Sequence, residues 1–316
     1  MSNLPKIVIF GATGQQGRSI LNALHTHPLV SKQYSLRAIT RDTSSSSALS
    51  ITSQGIDTIS ADMDDPSTLP AALENAHTVI LITVTIYTPD LKAREYTQTK
   101  KVADAALAAG AKHIIFSTAV HSSKTRTADI TSKGPSPRPV DAFDSKAEAE
   151  EYLRSLPIKT TFFAPGGFMQ NFATFFAPRR QDDGSYVIAN VVGKDAKIPL
   201  IDIERDSGTY VSKLLVDGGA GETLYAAGGV YSWEEIVGII SRVSGKDVRY
   251  VQIPEDVFAG FMPPEQGMRT VNMMKFTEEV GYFGPGTEEL VRKSNERVAE
   301  KVTRFEEFAE KYLVSI

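Results

Sequence analysis

The chain has no cysteine and a single tryptophan among its 316 residues. Missing thiols exclude disulfide staples, thiolate nucleophiles and cysteine-ligated metals, and they suit a reducing compartment. No apolar run approaches the roughly 18 residues that a membrane-spanning helix needs. There is no basic excess either. Lys+Arg number 34 against 38 Asp+Glu, a formal net charge of −4, so neither nucleic-acid binding nor a basic membrane-facing helix is expected. The five histidines show neither H-x-E nor H-E-x-x-H spacing, and no metal site is expected. Met1 to Lys6 lead straight into an apolar segment with no room for a signal peptide, so the expected location is cytoplasmic. What is present, 41% hydrophobic and 23% charged residues, suits a globular chain with a sizeable core.

The strongest positive signal is Gly11-Ala12-Thr13-Gly14-Gln15-Gln16-Gly17. It follows the apolar run Ile7–Phe10 and precedes an amphipathic stretch, which is the order strand, turn, helix. Glycines there permit the tight bend, the approach of a pyrophosphate to the backbone, and close helix–strand packing. The helix start then offers free N–H groups and the positive dipole end to phosphate. The spacing is G-x-x-G-x-x-G rather than G-x-G-x-x-G.

Strand and helix signals alternate through the first half. Strands are expected at Lys6–Phe10, Ser35–Thr40, Asp57–Ser60, Thr78–Thr83, His113–Ser117 and Lys159–Ala164. Helices are expected near Gly17–His25, Pro66–Glu74, Ala93–Ala109 and Ser145–Ser155. This predicts a doubly wound parallel sheet over residues 1–165. A smaller α/β lobe is expected over 166–316, with some segments returning to the sheet. The serine-rich Thr43–Ser50 reads as a loop, Ser122–Val140 as a long surface loop, and Glu288–Leu313 as one charged helix.

The end of the second strand discriminates between dinucleotides. An acidic residue there binds a ribose 2′-hydroxyl, whereas arginine meets a 2′-phosphate. This chain has Thr40-Arg41-Asp42, which favours NADP, although Asp42 competes either as the partner of Arg41 or for the ribose. Asp62 and Met63 after the third strand suit the adenine, or simply a helix start. Thr83 at the fourth strand end is expected beside the ribose and nicotinamide.

These segments, with Phe143-Asp144-Ser145-Lys146 and Pro165-Gly166-Gly167-Phe168-Met169-Gln170-Asn171-Phe172, resemble the NmrA-like family of atypical short-chain dehydrogenase/reductases over almost the whole chain. The resemblance implies a Rossmann-type domain and NADP(H). It implies either reduction of a small apolar or aromatic carbonyl or activated alkene, or a non-catalytic redox sensor and co-regulator that docks on a protein partner and is also found in the nucleus. It places Gly11, Thr13, Gly14, Gln15, Gln16, Gly17, Arg41, Asp62, Met63, Thr83, Ser117, Thr118, Lys146, Pro165, Gly166 and Phe168 at the cofactor. Ala119 is an alternative register for the short-chain serine. The usual tyrosine four residues before the lysine is absent, since position 142 is alanine. That leaves Lys146 as a ribose ligand or as the acid/base itself, with its pKa lowered in an apolar cleft. Phe168, Phe172, Phe175 and Phe176 are expected to wall the substrate pocket.

Overall fold

Strand β1 (Lys6–Phe10) sets the architecture. Its residues Ile7 to Phe10 are at most 1% exposed. Alternation along an extended chain sends Ile7 and Ile9 to one face and Val8 and Phe10 to the other. Both faces must therefore be covered, and they are. Helix Gln15–Thr26 packs with helix Ile203–Asp217 on the first, and helices Leu91–Ala108 and Asp141–Ser155 cover the second. The computed structural model describes residues 4–125, 139–298 and 300–316.

Seven parallel strands form the main sheet. They are β1, β2 (Ser35–Thr40), β3 (Asp57–Ser60), β4 (Ala76–Leu81), β5 (His113–Ser117), β6 (Lys159–Pro165) and β11 (Thr223–Ala226), in the order β11-β6-β5-β4-β1-β2-β3. The order reverses between β1 and β4, and ligand crevices open at such a switch point, outside the carboxyl ends of the strands. Strand β11 comes from the second half, so the chain past residue 166 both completes this sheet and builds a lobe of its own. That lobe holds two three-stranded sheets. One joins β7 (Gly167–Phe168), β10 (Lys197–Ile201) and β12 (Gly229–Ser232). The other joins β8 (Arg179–Arg180), β9 (Tyr186–Asn190) and β13 (Val248–Gln252). Its core gathers Phe172, Trp233, Ile236, Phe305 and Phe308.

The expected strands all form, with β4 beginning two residues earlier than Thr78. Three expectations change. The serine-rich stretch is a helix, Ser46–Thr52, whose N-cap Ser45 accepts from the Ala48 N–H and whose Ala48 and Ile51 are buried. Its serines serve as turn and cap residues. The segments after Pro165-Gly166-Gly167, which read from the sequence as short and irregular up to the charged stretch, instead contain helices Ile203–Asp217, Trp233–Ser244 and Pro264–Val280. The last charged stretch is two helices, Thr287–Val298 and Phe305–Tyr312. Between them the Thr303 N–H donates to Asp206 and the Phe305 N–H donates to the Tyr231 hydroxyl, which draws the backbone out of helical bonding. Most of the long loop, residues 126–138, lies outside the described residues.

Asp206 anchors this crossing. It is 2% exposed and accepts from the Thr303 N–H at 2.9 Å and hydroxyl at 3.1 Å. Burial pushes its pKa up to about 6, with Asp202 adding to the rise and Thr303 opposing it. A carboxyl whose folded pKa is raised stabilises the fold below its unfolded pKa, and that contribution is lost as pH rises through the folded value. Asp206→Asn removes the charge, keeps the bond from the Thr303 N–H on its Oδ1 and reverses the other, its Nδ2 donating to the Thr303 hydroxyl. At pH 7.5 it should therefore raise stability by about 2 kcal/mol, and below pH about 4 the gain should vanish. Urea melts of both proteins at the two pH values check this; a variant less stable at pH 7.5 contradicts it.

Candidate functional site

The turn after β1 separates three glycine roles. Gly11 adopts φ +75°, and a Cβ there would meet the Ile82 carbonyl oxygen at 2.8 Å. A Cβ on the buried Gly17 would lie 2.2 Å from the Gly11 oxygen. Both are dictated by the protein itself. Gly14 is not: it has φ −79°, is exposed, and a Cβ would meet nothing nearer than the Gly11 oxygen at 3.5 Å. Gly14 is also the N-cap of helix Gln15–Thr26, which has no side-chain cap and no acidic residue in its first turn. The first N–H groups are thus left for a ligand.

A groove runs from this turn over the ends of β1 to β4, bordered by Gly11, Thr13, Arg41, Asp62, Met63 and Val84. The carboxylate of Asp42 is taken by the Ser44 N–H at 2.8 Å and hydroxyl at 2.6 Å, bonds that hold its pKa below the usual range. Asp42 therefore does not pair with Arg41, whose guanidinium has no partner among the described residues. Arg18, which sequence reasoning missed, reaches across to Ser47 at 2.5 Å. Asp64 is bonded by Gln98 at 2.9 Å and by Arg94 at 2.5 Å, and the Arg94 bond is the main cause of its lowered pKa. Asp62 accepts from the Asp64 N–H.

Beyond the segment 83–87 lies a second space, a cavity of about 370 Å³. Gln16, Ser117, Thr118, Lys146, Pro165 and Phe168 border it, with Phe175, Phe176, Met273 and Met274 making much of the apolar wall. Ser117 donates to the Gln16 side chain at 2.9 Å and Thr118 to Glu150 at 2.6 Å. Phe172 does not border the cavity: it is 1% exposed and packs on Trp233 and Phe305 in the lobe core. Three other expected residues lie off the crevice. Gln15 bonds Glu204, Gly17 is buried beneath the turn, and Gly166 packs against Pro199, where a Cβ would sit 2.6 Å from the carbonyl oxygen.

Each residue of Phe143-Asp144-Ser145-Lys146 has its own task. Phe143 meets Phe276 and Tyr282 edge-on. Asp144, 1% exposed, accepts from the Ser122 N–H and hydroxyl at 2.7 Å and from the Ser123 hydroxyl at 2.6 Å, fixing the segment after β5. Ser145 donates to Glu95. The Lys146 ammonium donates to Glu95 Oε1 at 2.7 Å, Thr85 at 3.1 Å and Thr83 at 3.2 Å. All three of its protons are thereby placed. Glu95, 3% exposed, also accepts from Thr85 at 2.9 Å. It was not foreseen. Its signal was faint: Glu95, Gln98 and Thr99 form a polar stripe at helical spacing on the buried face of Leu91–Ala108.

A doubly wound sheet with a crevice at its switch point and a cavity in an added lobe defines a dinucleotide-fold protein with a second ligand space. The chain matches the model of the NmrA-like family over residues 4–309, and it belongs to that family. It is similar to the NmrA-like family domain-containing oxidoreductase lnaB of Aspergillus flavus, 28% identical over 303 residues that cover 90% of this chain and 87% of that one. Its fold is that of NmrA, a negative transcriptional regulator crystallised with NADP, at a TM-score of 0.76 and 21% identity, covering 99% and 96% of the two chains. It is also that of an NADPH-dependent quinone oxidoreductase of Escherichia coli complexed with NADPH, at a TM-score of 0.76 and 22% identity, covering 96% and 99%.

The Lys146–Glu95 pair, 16% and 3% exposed, should behave as a buried pair. Removing one partner leaves the other charge uncompensated, at a cost of about 3 kcal/mol or more. Glu95→Gln and Lys146→Met should each lower stability, and the double variant should lose less than the sum of the two. A double-mutant cycle by urea unfolding measures the coupling; strictly additive losses contradict it.

Proposed function

We propose that the protein is an NADP(H)-dependent reductase acting on a small apolar or aromatic carbonyl or activated alkene. The observation that carries this reading is the largely apolar cavity, bordered by Lys146, on the far side of the segment 83–87 from the groove. A protein that only senses a dinucleotide has no need of a second, aromatic-walled space beside the dinucleotide's reactive end.

The residues present fit the cofactor. Gly14 has no reason within the described residues to lack a side chain, the helix start behind it is uncapped, and Arg41, without a side-chain partner among the described residues, borders the groove where it would meet a 2′-phosphate. Met63 and Asp62 border the groove, where they would meet the adenine, and Lys146, held by Thr83 and Thr85, borders the cavity beyond it, where it would meet the ribose. When bound, NADPH supplies hydride at the nicotinamide ring. Glu95, Thr83 and Thr85 orient the Lys146 ammonium so that it can exchange a hydroxyl partner for the ribose while keeping its counter-charge. Ser117 and Thr118 place further hydroxyls on the same wall, and Phe168, Phe175 and Phe176 exclude water.

The second reading, a co-regulator that docks on a protein partner, draws on half-exposed apolar residues of the lobe. These are Val257, Phe261 and Met268. Phe261 lies under the Arg179 guanidinium, 4.4 Å from the ring centroid, which weakens it as a docking contact.

Isothermal titration with NADPH and NADH tests the cofactor assignment. NADPH should bind more tightly, and Arg41→Ala should cost NADPH alone about tenfold to a hundredfold in affinity. Equal affinities in the wild type refute the assignment.

Gly14→Val should retain the native circular dichroism and melting midpoint, since the protein leaves room for the side chain, yet lose dinucleotide binding. Retained binding would mean that the turn is structural only. Consumption of NADPH in the presence of quinones, enones and aromatic ketones, followed at 340 nm, tests the reductase reading; no consumption with any of them, together with recovery of a partner that depends on NADP redox state, favours the co-regulator.

A further inference from the structure

Position 142 lacks the short-chain tyrosine, yet the cavity wall carries two other phenols, Tyr87 and Tyr282. Tyr87 lies on the segment after β4 and borders the cavity with Thr85 and Lys146, while Val84 and Ile86 border the groove. Tyr282 comes from the turn between helices Pro264–Val280 and Thr287–Val298. Its ring lies 5.1 Å from those of Phe143 and Phe283. A largely buried tyrosine hydroxyl ordinarily finds a hydrogen-bond partner. Neither of these has one among the described residues, and neither is an atom sealed in the core. Both side chains border the same cavity.

We propose that the Tyr87 and Tyr282 hydroxyls form an oxyanion clamp in the cavity, and that the substrate is a conjugated carbonyl, an enone or a quinone. This rests on the reductase reading above. Hydride from the dihydronicotinamide forms a new C–H bond at the β-carbon of an enone, or a new O–H bond at one carbonyl oxygen of a quinone. The conjugated C=C pairs shift and the π pair of the remaining carbonyl moves to its oxygen, which leaves an enolate or a hydroquinone monoanion and an oxidised cofactor. Both phenols donate to that oxygen and keep their own protons; the anion takes the proton that completes the two-electron reduction from bulk water as it leaves the cavity. Burial and then Glu95 push the Tyr87 pKa up, against Arg269, and burial followed by Tyr87 pushes that of Tyr282 up. Such phenols are good donors and reluctant acids. They match a delocalised oxyanion better than the far more basic alkoxide of a simple ketone, which demands full proton transfer.

Binding of 4-nitrophenol, with and without NADP+, tests the clamp independently of turnover, because the anion absorbs at its own wavelength. The wild type should bind the phenolate. Tyr87→Phe and Tyr282→Phe should each weaken that binding about tenfold to a hundredfold, with NADP+ affinity and melting midpoint unchanged. In turnover with cyclohex-2-enone or 2-methyl-1,4-naphthoquinone, each should lower kcat by about 10²-fold with little change in KM. No phenolate binding by the wild type, or equal binding by the double variant, overturns the clamp. Clamp binding without NADPH oxidation by any acceptor overturns the reductase reading instead.

Discussion

A single buried carboxylate, that of Glu95, organises the centre of this molecule. It lies on a helix from one crossover and receives bonds from Thr85 on the segment after β4 and from Ser145 and Lys146 on the helix after β5. Three separate pieces of chain therefore depend on one charge for their register at the crevice. Burying a carboxylate is costly unless it is paired and fully bonded, and here its oxygens are supplied by an ammonium and two hydroxyls. The ammonium alone would be equally costly. Neither partner is tolerable without the other, which is what holds Lys146 at one place on the cavity wall rather than letting a flexible side chain wander into solvent.

That local arrangement depends in turn on the sheet. Parallel strands covered on both faces leave only their carboxyl ends open, and the reversal of strand order between β1 and β4 splays the adjoining loops. The turn after β1 goes one way and the segment 83–87 the other. Along the latter the side chains alternate: Val84 and Ile86 border the groove while Thr85 and Tyr87 border the cavity. One short segment thus divides the two spaces. The lobe closes the cavity from the other side with Phe168, Phe175, Met273 and Met274.

The sheet was legible because its strands are short, apolar, bounded by turn residues and spaced by helical crossovers, all local signals. The glycine turn, Arg41 and Lys146 were also picked out by local signals, and they lie at the groove or on the cavity wall. The lobe was read less well. Helix Trp233–Ser244 carries a full capping box from Ser232 and Glu235 and a clear amphipathic stripe, a signal that was there to be found. Helix Pro264–Val280 has polar residues on most sides and buries Thr270 and Thr277, so its periodicity is weak. The break near Thr303 follows from Asp206, almost a hundred residues away, and no local pattern reports it. Glu95 is of the same kind. A glutamate in a helix ordinarily faces water, and only the arrival of Lys146 from the next crossover makes its burial tolerable.

The difference between local and spatial signals bears most on position 142. Read along the chain, alanine there looks like a lost catalytic residue, because the expected tyrosine is defined by its spacing from Lys146. Read in space, the same wall carries Tyr87 from one loop and Tyr282 from another, and neither is at a helical spacing from anything functional. Chemistry constrains where a hydroxyl stands relative to a reacting oxygen; it is indifferent to the strand or turn that delivers it. A motif with one member missing therefore argues against one geometry of proton donation and says nothing against donation as such. The small side chain of Ala142 itself borders the cavity together with Lys146, so the absent ring leaves that part of the space open.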